Sequence, residues 1–355
     1  MNNQQIKPSE FVIYSILGNM DKPNNPELAT RIVQYFNNNR VIVAGQQKPM
    51  SVGEFVKQDK DADIHTVIKY CAILEKEFII LSTGRIGGGA AQSCFQGSRI
   101  SNPDESYNAY EHLCTGLLGI RNKFRTSVLP VLRFPENEPI DIGTAFYLLT
   151  SAGLFLITAA HCILGKEKIQ ILNHKKQPII PEKIYVSPND KIDIAALKVN
   201  SFEEGVFPFW LGESELLEEV LIMGYPPIPG FDAFLVSDTA TVNSNLKSSS
   251  GKLLAEEQSY LNSLDFMLIN ARVKGGNSGS PIINKYGYVV GILVNIPTDP
   301  QNNKELDKLG YGLGMSAKEI AKITLLINSK EPDSSIELDF KILNDSFIVN
   351  SERKI

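Results

Sequence analysis

The sequence predicts a mainly helical segment up to about Arg121, followed by an all-β sandwich or barrel. Three observations carry this. Apolar residues recur at helical spacing before Arg121. From about Thr126, runs rich in Val, Ile, Leu, Phe and Tyr alternate with turns, the pattern of many short strands. The length of 355 residues suits two domains better than one. We therefore divide the chain into residues 1–121, 122–328 and a β-like extension at 329–355.

In the first part, Glu10 to Leu17 and Glu27 to Phe36 carry apolar residues on one helical face, the second through Leu28, Ile32, Val33 and Phe36. Ser51 with Glu54 three residues on reads as a capping box opening a short helix. Asp63 caps the next helix, whose face is Ile64, Val67, Ile68, Tyr70, Cys71 and Leu74. Phe78 to Gly84 is a β-like run ending in a glycine turn, and Glu111 to Ile120 forms one more helix. Short helices followed by a strand and a loop resemble a winged helix. Gly84 to Gly89 lacks the Gly-Lys-Ser/Thr ending of a phosphate loop and reads as a plain loop.

The second part predicts strands at Val128 to Phe134, Thr144 to Leu149, Leu154 to Thr158, Ile169 to Leu172, Ile179 to Val186 and Ile194 to Val199. Others follow at Val220 to Met223, Ala233 to Val242, Met267 to Arg272, Pro281 to Ile283 and Tyr288 to Val294. Ala317 to Ile327 is a helix with Ile320, Ile323, Leu326 and Ile327 on one face. Ile336 to Leu343 and Phe347 to Asn350 are strand-like, with no place in the fold assigned by the sequence.

Composition narrows the function. Net charge is −5, and Lys and Arg roughly balance Asp and Glu in the first part, which argues against nucleic acid as a partner. The first part is expected to bind a regulatory protein partner instead. No apolar stretch is long enough to span a bilayer, so no membrane is expected. Met1 to Glu10 lacks the apolar core of a signal peptide. Cys71, Cys94, Cys114 and Cys162 form no Cys-x-x-Cys pair, so we expect reduced thiols, no metal site and a cytoplasmic setting.

Three short runs carry chemistry. Gly275-Gly276-Asn277-Ser278-Gly279-Ser280-Pro281 places Ser278 between Asn277 and Gly279 in a glycine-rich turn. A hydroxyl needs a base to become a nucleophile, and donors to meet the charge that then develops. The amides of Gly276 and Ser278 are the candidate donors. His161 follows an apolar strand and three small residues, Thr158-Ala159-Ala160, and is the candidate base. Asp193 is the only acid in Ile192 to Leu197, and a buried aspartate needs a partner. Bonding the far nitrogen of His161 would supply one and fix the tautomer. Asp190, after Pro188-Asn189, reads as a turn residue, and His65, His112 and His174 have no comparable context.

These motifs, in the order His, Asp, Ser, resemble the chymotrypsin-like (trypsin-like) serine peptidases, in the style of the HtrA and glutamyl-endopeptidase branches. Gly143 to Phe146 and Leu221 to Pro226 also match strands of that family, and the likeness spans about residues 126 to 328. The resemblance implies two six-stranded β-barrels with the site between them, and a serine endopeptidase acting on protein or peptide substrates. It implies His161 as general base and acid, Asp193 as its orienter, Ser278 as nucleophile and Gly276 with Ser278 as the oxyanion hole. It requires no cofactor. Arg272, Val294 and Asn295 are the substrate-pocket candidates it points to, and Arg272 would favour an acidic side chain before the cut. Asn277 stands where animal zymogens place an aspartate, so activation by N-terminal cleavage is not expected. Control is expected from the first domain or a partner, in a stress, defence or quality-control role. The alternative is a catalytically silent, peptidase-like sensor fused to a winged-helix regulator.

Overall fold

The computed structural model describes residues 26–98, 107–227, 245–258, 265–294, 310–325 and 335–351, apart from 39–41, 44–45, 48–49, 137–139, 166, 272 and 274, together with the short strands 233–234 and 242–243. The described residues divide into two compact units, one within Leu17–Ile120 and one within Arg121–Ile355. The helix expected at Glu10 to Leu17 lies outside the described residues.

The smaller unit runs α1 (Leu28–Asn38), β1 (Met50–Ser51), α2 (Val52–Gln58), α3 (Ile64–Lys76), β2 (Ile80–Arg85) and β3 (Ser93–Gly97), then into α4 (Ala109–Phe124). The three strands form an antiparallel sheet in the order β1-β3-β2. The start signals act as expected. Ser51 and Glu54 close a capping box on α2, and Asp63 accepts from the Thr66 amide at 2.8 Å to cap α3. Residues 86–92 make the β2–β3 connection, and Gly116 kinks α4 at φ +68.

The smaller unit has its own core. Ile32, Val33, Phe36, Val67, Cys71 and Leu74 are buried on facing helices, and Phe36 packs edge-on against Phe95 at 5.5 Å. Glu111 ties three elements together: its carboxylate accepts from the Ala29 amide at 2.8 Å and the Tyr70 hydroxyl at 2.7 Å.

Among the described residues the larger unit holds two large sheets, besides the two-residue pairing of 233–234 with 242–243. Strands β4 (Val128–Phe134), β5 (Asp141–Thr150), β6 (Gly153–Thr158), β7 (Lys168–Ile171), β8 (Lys183–Val186) and β9 (Ala195–Lys198) belong to the first. Strands β10 (Glu219–Gly224), β11 (Lys247–Gln258), β12 (Asp265–Ile269), β13 (Pro281–Ile283), β14 (Val289–Leu293) and β15 (Gly312–Ser316) form the second, a closed barrel in the order β10-β11-β12-β15-β14-β13. Helix α5 (Ala317–Leu325) follows directly. The larger unit is the expected chymotrypsin-like double barrel.

The first sheet has nine strands rather than six, and here the structure corrects the sequence. Strands β16 (Ile336–Leu338), β17 (Phe340–Leu343) and β18 (Ser346–Val349) extend it to the order β16-β8-β9-β6-β5-β4-β7-β18-β17. β16 pairs with β8 at one edge, and β18 pairs with β7 at the other. Only Asp339 separates β16 from β17, the two end strands, so the tail links both edges and draws the sheet round on itself. Phe347, from β18, is fully buried among Ile169, Ile171 and Val131. The run Ile336 to Leu343 thus splits at Asp339, because its two halves serve opposite edges.

Candidate active site

Antiparallel register brings the acid to the histidine. Ala195 of β9 pairs with Thr158 of β6. Two residues back from Ala195 and two on from Thr158, Asp193 faces Ala160, beside His161. The turn before Asp193 is fixed by the Asn189 side chain, which accepts from the Lys191 amide at 3.0 Å, and by the Ile192 amide bonding the Asn189 carbonyl at 3.1 Å. After β6, residues Ala160–Cys162 make one 3-10 turn, where small buried Ala159 and Ala160 allow tight packing.

The pair itself is doubly bonded. The His161 amide donates to Asp193 Oδ1 at 2.9 Å, and the ring Nδ1 lies 2.6 Å from Oδ2. Asp193 is 1% exposed, so its charge is answered by hydrogen bonds rather than by water. Burial favours a neutral imidazole, while the Cys162 sulfur and the Asp193 carboxylate favour the cation. The last two prevail and hold the His161 pKa well above its ordinary value. Nδ1 bound to the carboxylate leaves Nε2 as the nitrogen able to exchange a proton with another group.

The serine turn is built onto the same strands. The Thr144 amide of β5 donates to the Ser278 carbonyl at 2.9 Å, and the Cys162 thiol lies 3.8 Å from that oxygen. A Cβ on Gly143 would stand 2.5 Å from the Cys162 sulfur and 3.5 Å from the Ser278 oxygen, so glycine there lets the two runs meet. The turn is also tied to the second barrel, the Gly279 amide donating to Leu293 O at 2.8 Å. Gly276 and Gly279 have φ of +92 and +85, values that favour glycine. Asn277 is buried behind the turn.

Thus His161 and Asp193 are in direct contact, and the Ser278 turn is bonded to the strand beside them. Of the pocket candidates, Arg272 and Asn295 lie outside the described residues. Val294 is buried, with its amide bonded to Leu313 O at 3.1 Å. His65 is exposed on α3, His112 packs edge-on to Tyr107 and His174 lies 3.7 Å from Glu203. Asp190 is exposed.

Two further residues escaped the sequence reading. Arg133 of β4 donates to the His161 carbonyl at 2.6 Å and pairs with Glu167 at 3.4 Å. Its one sequence signal is a lone basic residue inside an apolar strand. Thr144 bonds the serine turn, and only its place beside Gly143 hints at it.

All four cysteines are free and buried, and burial pushes the Cys71 thiol up to about 12. Among the described residues no three His, Cys, Asp or Glu side chains group as metal ligands. No described helix is long and apolar enough to cross a membrane.

Residues 143–292 match the trypsin-like peptidase domain family. Protease Do-like 2, chloroplastic, of Arabidopsis thaliana is 28% identical over 60% of this chain and 33% of its own length. Serine protease Do-like HtrA of Lactococcus lactis subsp. cremoris is 24% identical over 73% of this chain and 66% of its own length. The chain spans between 22% and 35% of the length of the first three curated relatives it matches. Among solved structures, the active form of the Rv3671c protease from M. tuberculosis aligns with a TM-score of 0.44 and 19% identity, over 60% of this chain and 86% of that one. On the family match and the curated relatives, residues 143–292 lie in a trypsin-like peptidase domain, homologous to the HtrA and Do-like serine proteases.

Proposed function

We propose that this protein is an intracellular serine endopeptidase that cuts protein substrates through Ser278, His161 and Asp193. The observation that carries the reading is the doubly bonded His161–Asp193 pair, seated beside the glycine turn that holds Ser278. In the proposed cycle, His161 Nε2 takes the proton of the Ser278 hydroxyl as its oxygen attacks the substrate carbonyl. Charge on that carbonyl oxygen is met by the amides of Gly276 and Ser278. His161 then protonates the leaving amine, and water releases the acyl group by the same route. Asp193 holds the ring in the tautomer this requires and stabilises the imidazolium.

The four free, buried thiols support a reducing compartment. Asn277 offers no carboxylate for an N-terminal ion pair, which supports control through a partner or through the first unit. The helix–strand–helix–helix–hairpin order of that unit supports the winged-helix reading, and its balanced charge supports a protein partner. If Arg272 lines the pocket, substrates with Asp or Glu before the cut are preferred. A peptide-library digest with no such preference rejects that part alone.

The test is fluorophosphonate labelling. We expect one labelled serine, lost in Ser278→Ala, and protein hydrolysis abolished in both Ser278→Ala and His161→Ala with the fold intact. A folded protein that neither labels nor hydrolyses any protein would point instead to a silent, peptidase-like sensor.

A further inference from the structure

The Thr144 side chain is fully buried. Four hydrogen bonds converge on this residue. Its amide donates to Ser278 O at 2.9 Å, and its carbonyl accepts from Thr158 Oγ1 at 2.7 Å. Its hydroxyl accepts from the Tyr225 amide at 3.1 Å and donates to Gly276 O at 2.8 Å. A hydroxyl has one proton to give. Because the Tyr225 N–H occupies the acceptor side, that proton is committed to the Gly276 carbonyl.

Glycine at 276 creates the need for such a clamp. Its φ of +92 is open to a residue without a Cβ, and the same freedom lets the peptide rotate away at little cost. On its far side the α-carbon is walled in: a Cβ there would lie 2.6 Å from Pro227 Cδ, 2.7 Å from Tyr225 O and 2.8 Å from Pro226 Cα. Steric walls restrict where Gly276 sits, but they do not select which way its carbonyl points. The Thr144 hydroxyl does. A carbonyl fixed inward on one side of Gly276 fixes the torsions that aim the amide on its other side.

We infer that Thr144 is a positioning residue for the oxyanion hole, acting through the Gly276 carbonyl. This rests on the reading of Ser278 as nucleophile with the Gly276 and Ser278 amides as donors. Direct loss of one such donor costs a protease about 10²–10³ in kcat. Loosening a donor rather than deleting it should cost less, about 10- to 100-fold.

The experiment compares Thr144→Ser, Thr144→Ala and Thr144→Val in the full chain. Readouts are kcat and KM on a peptide ester, affinity for a peptide aldehyde that adds to the serine, and thermal unfolding. Serine and alanine both remove the methyl and differ only in the hydroxyl. We expect Thr144→Ser to stay within about threefold of the native kcat, and Thr144→Ala and Thr144→Val to lose about 10- to 100-fold with KM little changed. Aldehyde affinity should fall in the same ratio as kcat/KM. Equal kcat in the Ser and Ala variants overturns the inference, as does a loss confined to KM. If the Val variant fails to fold, the Ser and Ala pair decides. If Ala also fails to fold while Ser folds, the hydroxyl serves the fold and not the hole, and the inference is overturned. A native chain without Ser278-dependent labelling fails the functional reading first, a result distinct from all of these.

Discussion

Replacing Gly279 with alanine is the sharpest test of how the serine turn is held. Gly279 has φ +85, where an L-residue with a Cβ costs about 1–2 kcal/mol. Its surroundings add to that. A Cβ there would overlap the Thr144 carbonyl oxygen and lie 2.7 Å from Thr158 Oγ1 and 2.9 Å from the Ala159 amide. Two of these three are backbone atoms of strands and turns that also position His161, so those two cannot swing away as a flexible side chain would. Overpacking of this kind costs about 1–3 kcal/mol. The sum, about 2–5 kcal/mol, should lower Tm by about 5–15 °C in a unit of this size. Gly275→Ala is the control. It lies in the same turn, with no atom within 4 Å of an added Cβ, and should leave Tm within about 2 °C. Scanning calorimetry of the two variants beside the native chain measures the difference. Equal Tm values for Gly279→Ala and Gly275→Ala would refute the packing argument.

Asp193→Asn should cut kcat about 10⁴-fold at neutral pH by admitting the wrong imidazole tautomer, and should move the acid limb of the kcat/KM profile to lower pH, since the carboxylate helps raise the His161 pKa. A raised folded pKa stabilises fully below the ordinary histidine value of about 6.5 and loses that effect as pH climbs through the raised value. The Tm gap between native chain and Asp193→Asn should therefore be widest at acid pH and narrow on the alkaline side, as thermal scans across pH would reveal. Phe347→Ala should cost about 3–5 kcal/mol in urea unfolding, because Phe347 is fully buried in the first-sheet core. Glu111→Ala should cost about 1–3 kcal/mol in the smaller unit by stranding the buried Ala29 amide and the Tyr70 hydroxyl, and near-UV circular dichroism of Tyr70 would report the loss.

The elements legible in the sequence are those whose local chemistry agrees with their place in the fold. Ser51 with Glu54 and Asp63 announce helix starts through side chains that bond their own backbone. The apolar runs of β4 to β6 are read correctly because both chemistry and burial favour strand. The misses share one cause. β11, Lys247–Gln258, is full of Ser, Lys and Glu and is a strand only because β10 and β12 pair with it on either side. β15, Gly312–Ser316, looks like a turn with its two glycines. In the barrel, a Cβ on Gly312 would lie 2.5 Å from Val273, and one on Gly314 would overlap Ile282, so the glycines are needed for barrel packing. Both strands are set by neighbours distant in sequence. The site followed the same rule. His161, Asp193 and Ser278 stand in distinctive local contexts, whereas Arg133 and Thr144 matter through bonds to residues 28 and 132 positions away.

The strands β16 to β18 carry a consequence for how the chain acquires its structure. The bonds that join them to the first sheet span long loops, 154 residues from Lys183 to Glu337 and 175 from Gln170 to Asp345. Contacts of such separation slow folding, because loop closure must precede the stabilisation it allows. During synthesis, β7 and β8 leave the ribosome well before the segment that covers them, so their edges wait as unpaired templates for other strands. The completed sheet, with Ser278 bonded to β5, thus forms late, and the nascent chain passes through a stage in which its first barrel is most open to mispairing.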